Sequence, residues 1–281
     1  MFKRIIVILL AIPLFLSACT TAEPGYVKDN DKIVVSVSIL PQAYFVERIG
    51  GTHVFVNVMV GTGSDPHSYE PTPIQMRALA ESQLYFSIGV EFEAAWLPRF
   101  KATNPDLLIV DTIAGIIRIP ISDFQQGEVR GEPDPHVWLS PALVKEQGQK
   151  IVDALISIDP AHEPDYQINF STFIEDVNEL DETIRSELSS LQNKKFITTH
   201  PVWGYFARDY NLVMVSIEVT GQEPSAEEMA LIIDIAREAG ITQILAQREY
   251  SGRSAQALAS EIGASVVILD PLAKNWLENM K

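Results

Sequence analysis

The chain has 281 residues, 47% of them hydrophobic and 21% charged, with 37 acidic against 21 basic side chains and a single cysteine. Apolar and aromatic residues in that amount exclude a disordered chain, and one cysteine excludes an internal disulfide or a cysteine-built zinc site. A formal charge of −16 excludes general binding to nucleic-acid backbones, which needs clustered Lys and Arg.

Lys3 and Arg4 precede an apolar run from Ile5 to Leu16 and then small residues, which predicts an export signal over 1–18. The run is twelve residues long, well short of the roughly 20 that span a bilayer. Leu16-Ser17-Ala18-Cys19 resembles the lipobox of bacterial and archaeal lipoproteins. That resemblance implies a lipid on Cys19, a membrane-tethered linker over 19–31, and a mature protein outside the cytoplasmic membrane.

The runs Ile33–Ile39, Val54–Val60, Leu84–Ile88 and Leu107–Val110 are short, β-branched or aromatic, and bounded by Gly, Pro, Asn or Asp. They predict buried strands. Between and after them, Pro73 behind a Thr72 cap opens a helix to about Gln83, and Pro141 behind Ser140 opens another to about Ile158. Strands alternating with helices predict an N-terminal α/β lobe over 32–162 with a mainly parallel sheet. From Glu163, apolar residues including Tyr166, Phe173, Val177, Leu180, Ile184 and Leu191 recur every three or four positions, which predicts one long amphipathic helix over 163–192. Its length, on the order of 45 Å, suits a strut between lobes. The α/β pattern then resumes over 193–281. Strands are expected at Phe196–Thr199, Leu212–Ile217, Gln243–Ala246 and Ser265–Leu269, with helices opened by the capping box Ser225 to Glu228 and spanning about Ser254 to Ile262. The expected fold is therefore α/β, two similar lobes joined by one long helix, with a cleft between them.

Three of the five histidines sit in related settings. Asp65-Pro66-His67-Ser68-Tyr69 and Asp134-Pro135-His136-Val137-Trp138 share Asp-Pro-His-x-aromatic, and Thr199-His200-Pro201-Val202-Trp203 again sets histidine beside proline. Proline stiffens these turns, so each can aim an imidazole without a flexible loop. His67 and His200 follow expected strands at their carboxyl ends, where open α/β sheets place ligands. Asp270-Pro271 stands in the same relation to the last strand, which makes Asp270 the fourth candidate. Three imidazoles and one carboxylate form a tetrahedral set for a divalent metal, and nitrogen-rich ligation suits zinc better than magnesium or calcium. Asp65 and Asp134 are candidates to orient the imidazoles, and Tyr69, Trp138 and Trp203 to wall the site. His53 and His162 read as ordinary surface or loop residues.

With these residues assembled, the chain resembles the solute-binding lipoproteins of zinc or manganese ABC importers, the cluster A-I family. The resemblance rests on the lipobox, Asp65 through Pro73, Asp134 through Leu139, the long helix, Thr199-His200-Pro201, Glu223-Pro224-Ser225 and Leu269 through Leu272. It implies two lobes bridged by a rigid helix, with His67, His136, His200 and Asp270 as metal ligands. It also implies a permease with its ATPase as partners, a monomer, and no enzymatic activity. Manganese-selective members commonly carry glutamate where this chain has His200, so the resemblance points to Zn2+, with Mn2+ or Fe2+ as the alternative cargo. Three departures stand out: Arg118–Pro133 is short and lacks histidine, Gln247 stands where glutamate is frequent, and the final helix usually extends further. Two other functions compete, a zinc hydrolase built on three histidines and a metal-dependent adhesin. Against the hydrolase, His-Glu-x-x-His is absent and no second carboxylate is placed as a base.

Overall fold

The computed structural model describes residues 31–121, 132–218, 222–247 and 252–281. The export signal, Cys19, the linker up to residue 30 and most of the Arg118–Pro133 loop lie outside the described residues. The first lobe runs β1 (Ile33–Ile39), α1 (Leu40–Gly50), β2 (Val54–Val60), α2 (Pro73–Ala80), β3 (Leu84–Ser87), α3 (Glu91–Thr103), β4 (Leu108–Asp111) and α4 (Pro141–Ile158). After α5 (Glu163–Ser189), the second lobe runs β5 (Lys195–Thr198), α6 (Gly204–Asp209), β6 (Val213–Ser216), α7 (Ala226–Glu238), β7 (Gln243–Ala246), α8 (Arg253–Ile262), β8 (Ser265–Ile268) and α9 (Trp276–Asn279).

The two sheets have the same plan. Their strand orders are β2-β1-β3-β4 and β6-β5-β7-β8, and every pairing is parallel. In β1 Val35 pairs with Val56 on one side and Leu84 on the other, and Val34 through Ile39 are buried on both faces of this central strand, most of them apolar. The caps expected from sequence form. Thr72 Oγ1 accepts from the Gln75 N–H at 3.4 Å while Gln75 Oε1 accepts from the Thr72 N–H at 2.8 Å. Ser140 Oγ accepts from Leu143 N–H at 3.2 Å, and Ser225 and Glu228 reciprocate in the same way at α7.

The strut α5 is 27 residues long, about 40 Å, and ends three residues before the sequence pattern predicts. Tyr166, Phe173, Val177, Leu180 and Ile184 form its buried stripe. Toward its start Phe173 meets Phe45 of α1 at 5.8 Å between ring centres. Toward its end Tyr210 of the second lobe donates to Asp181 at 2.8 Å. The two lobes are also fastened directly. Trp203, Tyr205, Tyr210 and Trp276 of the second lobe belong to one buried cluster with the first lobe's core. The Trp138 indole donates to the Pro271 carbonyl and the Trp276 indole to the Trp138 carbonyl, both at 2.8 Å.

Candidate metal centre

Parallel strands all end at one edge of their sheet, and a ligand site forms where that edge opens. Here the two edges face each other. His67 follows β2, Glu91 opens α3 after β3, and His136 lies on the connection from β4 to α4. From the second lobe His200 follows β5, Glu218 follows β6, Gln247 follows β7, and Asp270-Pro271 follows β8.

The two Asp-Pro-His segments fold alike. Asp65 Oδ1 accepts from the His67 N–H at 2.9 Å, and Asp134 Oδ1 accepts from the His136 N–H at 2.8 Å. In each the aspartate closes an Asx turn, proline stiffens it, and the third residue is presented to the cleft. Asp270-Pro271-Leu272 is the same turn a third time, with Asp270 Oδ1 accepting from Leu272 N–H at 2.9 Å.

Each imidazole carries a carboxylate at Nδ1. The contacts are His136 to Asp134 at 2.7 Å, His200 to Glu218 at 2.7 Å, and His67 to Glu91 at 3.1 Å. A carboxylate at Nδ1 accepts a hydrogen bond from the ring N–H, which holds the proton on Nδ1 and leaves Nε2 as the basic nitrogen, the arrangement that metal-binding histidines use. His136 and His200 are only 5% and 8% exposed, while the His67 side chain is 36% exposed and forms the open side. The hydrogen bond that the His67 ring donates to Glu91 raises the His67 pKa against the opposing effect of burial. Burial pushes the His200 pKa down, with Glu218 opposing, so that ring is neutral near pH 7. Burial pushes Glu91 upward, but the hydrogen bond and charge of His67 bring it below the usual range.

The rings converge. His67 and His200 are 5.3 Å apart between ring centres, and His136 and His200 5.7 Å. Three imidazoles bound tetrahedrally at the usual zinc–nitrogen distance have centres roughly 5 Å apart. Among the described residues no group of three or more His, Cys, Asp or Glu side chains stands so placed that it could hold a metal ion. The rings thus stand near the spacing of a tetrahedral site without being drawn into one. They share a cavity of about 20 Å³ with Asp65, Glu91, Trp138, Val202, Gln247, Pro271 and Leu272. That volume admits one water-sized body, far less than the several hundred Å³ of an organic-ligand pocket.

Of the four residues expected as ligands, the structure brings three together. Asp270 is not among the residues lining the cavity, where Pro271 and Leu272 stand, and its Oδ1 accepts from the Leu272 N–H. Trp138 lines the cavity as expected, whereas Tyr69 donates to Gln75 and Trp203 packs against Phe206. Sequence reasoning missed Glu91 and Glu218, and noted Gln247 only as a departure. Applying the strand-end rule to β3, β6 and β7 as well would have found all three. His53 and His162 stack on each other at 4.0 Å and hydrogen-bond Asp165 and Asp159 near the start of α5, outside this cavity.

The family model described as ZnuA, zinc-uptake complex component A, periplasmic, matches residues 35–281. A crystal structure of ZnuA is 42% identical, with a TM-score of 0.83 over 89% of this chain and 96% of that one. The high-affinity zinc uptake system protein ZnuA of Bacillus subtilis is 29% identical over 97% of this chain and 90% of its own length. The laminin-binding protein of Streptococcus agalactiae, described as having adhesin and metal-transporting activity, is 24% identical with a TM-score of 0.76 over 88% and 95% of the two chains. At that identity it supports the fold alone. The match across both lobes and the strut places this chain in the family of the periplasmic zinc-uptake component A.

Proposed function

We propose that this protein captures a zinc ion outside the cytoplasmic membrane and delivers it to the permease of an ABC importer, whose ATPase drives entry. The observation that carries this reading is the convergence of His67, His136 and His200, from both lobes, on a cavity sized for one ion, each with a carboxylate at Nδ1. Three imidazole nitrogens favour zinc over Mn2+, Mg2+ or Ca2+, and Fe2+ ranks below zinc at such nitrogen donors. In this reading the three histidines are the protein ligands, and Asp270 shapes the turn beside them. A lipid on Cys19 would tether the monomer near its permease.

The family is one of solute-binding proteins rather than enzymes, which sets the hydrolase aside. A bound ion tightens the ring triad, and the two-lobed origin of the ligands lets a small displacement loosen it again. The test is a competitive titration of the metal-stripped protein with Zn2+, Mn2+ and Fe2+ while bound ions are counted. One tight zinc per chain, weakened by orders of magnitude in His136→Ala and His200→Ala and unchanged in His162→Ala, is expected. Equal affinity in His136→Ala and His162→Ala would overturn the assignment.

A further inference from the structure

We propose that Gln247 is a built hydrogen-bond donor for an oxygen ligand that the captured ion carries in its fourth position. The inference rests on the three-histidine reading above. Gln247 lines the same cavity as the three imidazoles and is 5% exposed. Its side-chain Nε2 is buried with no hydrogen-bond partner among the described residues. A buried amide N–H without an acceptor is costly and calls for an explanation. It is held in place by the fold. Gln247 is the residue after β7, whose Leu245 pairs with Thr198 of β5, two residues before His200.

Among the described residues lining the cavity, no side chain stands free to fill the fourth position: Asp65 accepts from the His67 N–H and the Ser68 hydroxyl. Asp270 spends its Oδ1 on the Leu272 N–H, and Pro271 and Leu272 present no side-chain donor atom. The three carboxylates behind the imidazoles are each engaged at an Nδ1. Tetrahedral zinc with three protein ligands completes its shell with solvent, and a water on the ion supplies the acceptor that Gln247 lacks. The residue type fits this role. An amide donates without adding charge beside three carboxylates, whereas a carboxylate could only accept or would bind the ion itself. The fourth position is then exchangeable, and an ion can leave without breaking a fourth bond to the protein.

Cobalt(II) loaded into the full protein reports on this position, because its visible absorption follows the ligand set. The wild type is expected to bind one Co2+ per chain and to shift its spectrum on titration with azide, as the anion replaces water. Gln247→Leu and Gln247→Met are expected to keep one Co2+ per chain but to bind zinc on the order of 10-fold more weakly and to give an altered azide titration. Asp270→Asn should titrate with azide like the wild type. A wild-type spectrum indifferent to azide would mean a side chain fills the position, and wild-type azide and zinc affinities in both Gln247 variants would mean the amide does not contact the ligand. Either result overturns the inference while leaving the three-histidine site standing. Failure of the wild type to bind Co2+ or Zn2+ would overturn both.

Discussion

At each imidazole the partner on Nδ1 decides which nitrogen an ion can reach. Glu218 can only accept, so it fixes the proton of His200 on Nδ1, 2.7 Å away, and leaves Nε2 basic. Glu218→Gln offers a donor in the same place and permits the opposite tautomer, with the proton on Nε2. Zinc affinity measured against a competing chelator should fall by about 10- to 100-fold, while the thermal midpoint of the metal-free protein changes little. Unchanged affinity would show that Glu218 does not set the tautomer. Asp270 makes the contrasting case. Asparagine keeps the Oδ1 that accepts from Leu272 N–H and so preserves the turn, but it removes a charge. Asp270→Asn should therefore bind zinc as the wild type does. A loss of more than about 10-fold would restore Asp270 as a ligand and refute the turn reading.

The helix α3 rests on a carboxylate that burial disfavours. Glu93, 4% exposed in the first turn, accepts from the Ile88 and Gly89 N–H groups at 2.9 and 2.8 Å and from the Ser38 hydroxyl. Desolvation outweighs these bonds and raises its pKa to about 7. The folded state therefore holds this proton more tightly than the unfolded state, whose carboxyl titrates near 4.5. Glu93 costs nothing below pH 4.5, and stability is lost as pH rises toward 7, with the full penalty, on the order of 3 kcal/mol, present above it. Urea unfolding of the metal-free protein should show this decline between pH 5 and 7.5, and Glu93→Gln should flatten it. An identical pH profile in the variant would refute the assignment. Glu93 also shows where sequence reading loses its grip. Strands such as Ile33–Ile39 and helices such as Pro141–Ile158 are legible because their apolar pattern or caps are local. α1 is not: its N-cap is Ile39, and Gln42 accepts from the Ser38 and Ile39 N–H groups, a role no helical period announces. α3 is obscured likewise, with Pro98 in its interior and a cap partner that tertiary burial selects. His67 and His136 drew notice because Asp-Pro-His repeats in sequence and His200 because it too stands beside proline, whereas Asp270 was singled out because Asp270-Pro271 follows the last strand. The hydrogen bond from Leu272 N–H to Asp270, which no sequence pattern announces, gives Asp270 the same Asx turn that Asp65 and Asp134 form.

Across the whole molecule the metal centre depends on how closely the lobes approach, and Gly204 sets that approach. It opens α6 in the second lobe, and a Cβ placed there would lie 2.8 Å from Asp134 Oδ2 and 3.3 Å from Ile119 Cδ1 of the first. Asp134 cannot readily give way. Its Oδ1 holds both the N–H and Nδ1 of His136, its N–H donates to the Ile119 carbonyl at 2.8 Å, and its carbonyl accepts from the Tyr205 hydroxyl at 2.8 Å. The lobes cannot simply swing apart either, because Trp138 and Trp276 pin them through a shared core. Relief of the clash therefore falls on the Asp134 carboxylate and on the ring it orients. Gly204→Ala should lower zinc affinity by at least about 10-fold through His136, although position 204 touches no ion. The metal-free fold, held by the strut and the tryptophans, should lose little, since one overpacked methyl typically costs about 1–3 kcal/mol. Paired measurements of zinc affinity and the metal-free thermal midpoint separate the two effects. Lost affinity with a nearly intact midpoint would establish lobe spacing as a determinant of capture, and wild-type affinity would show that the interface absorbs the methyl without moving His136.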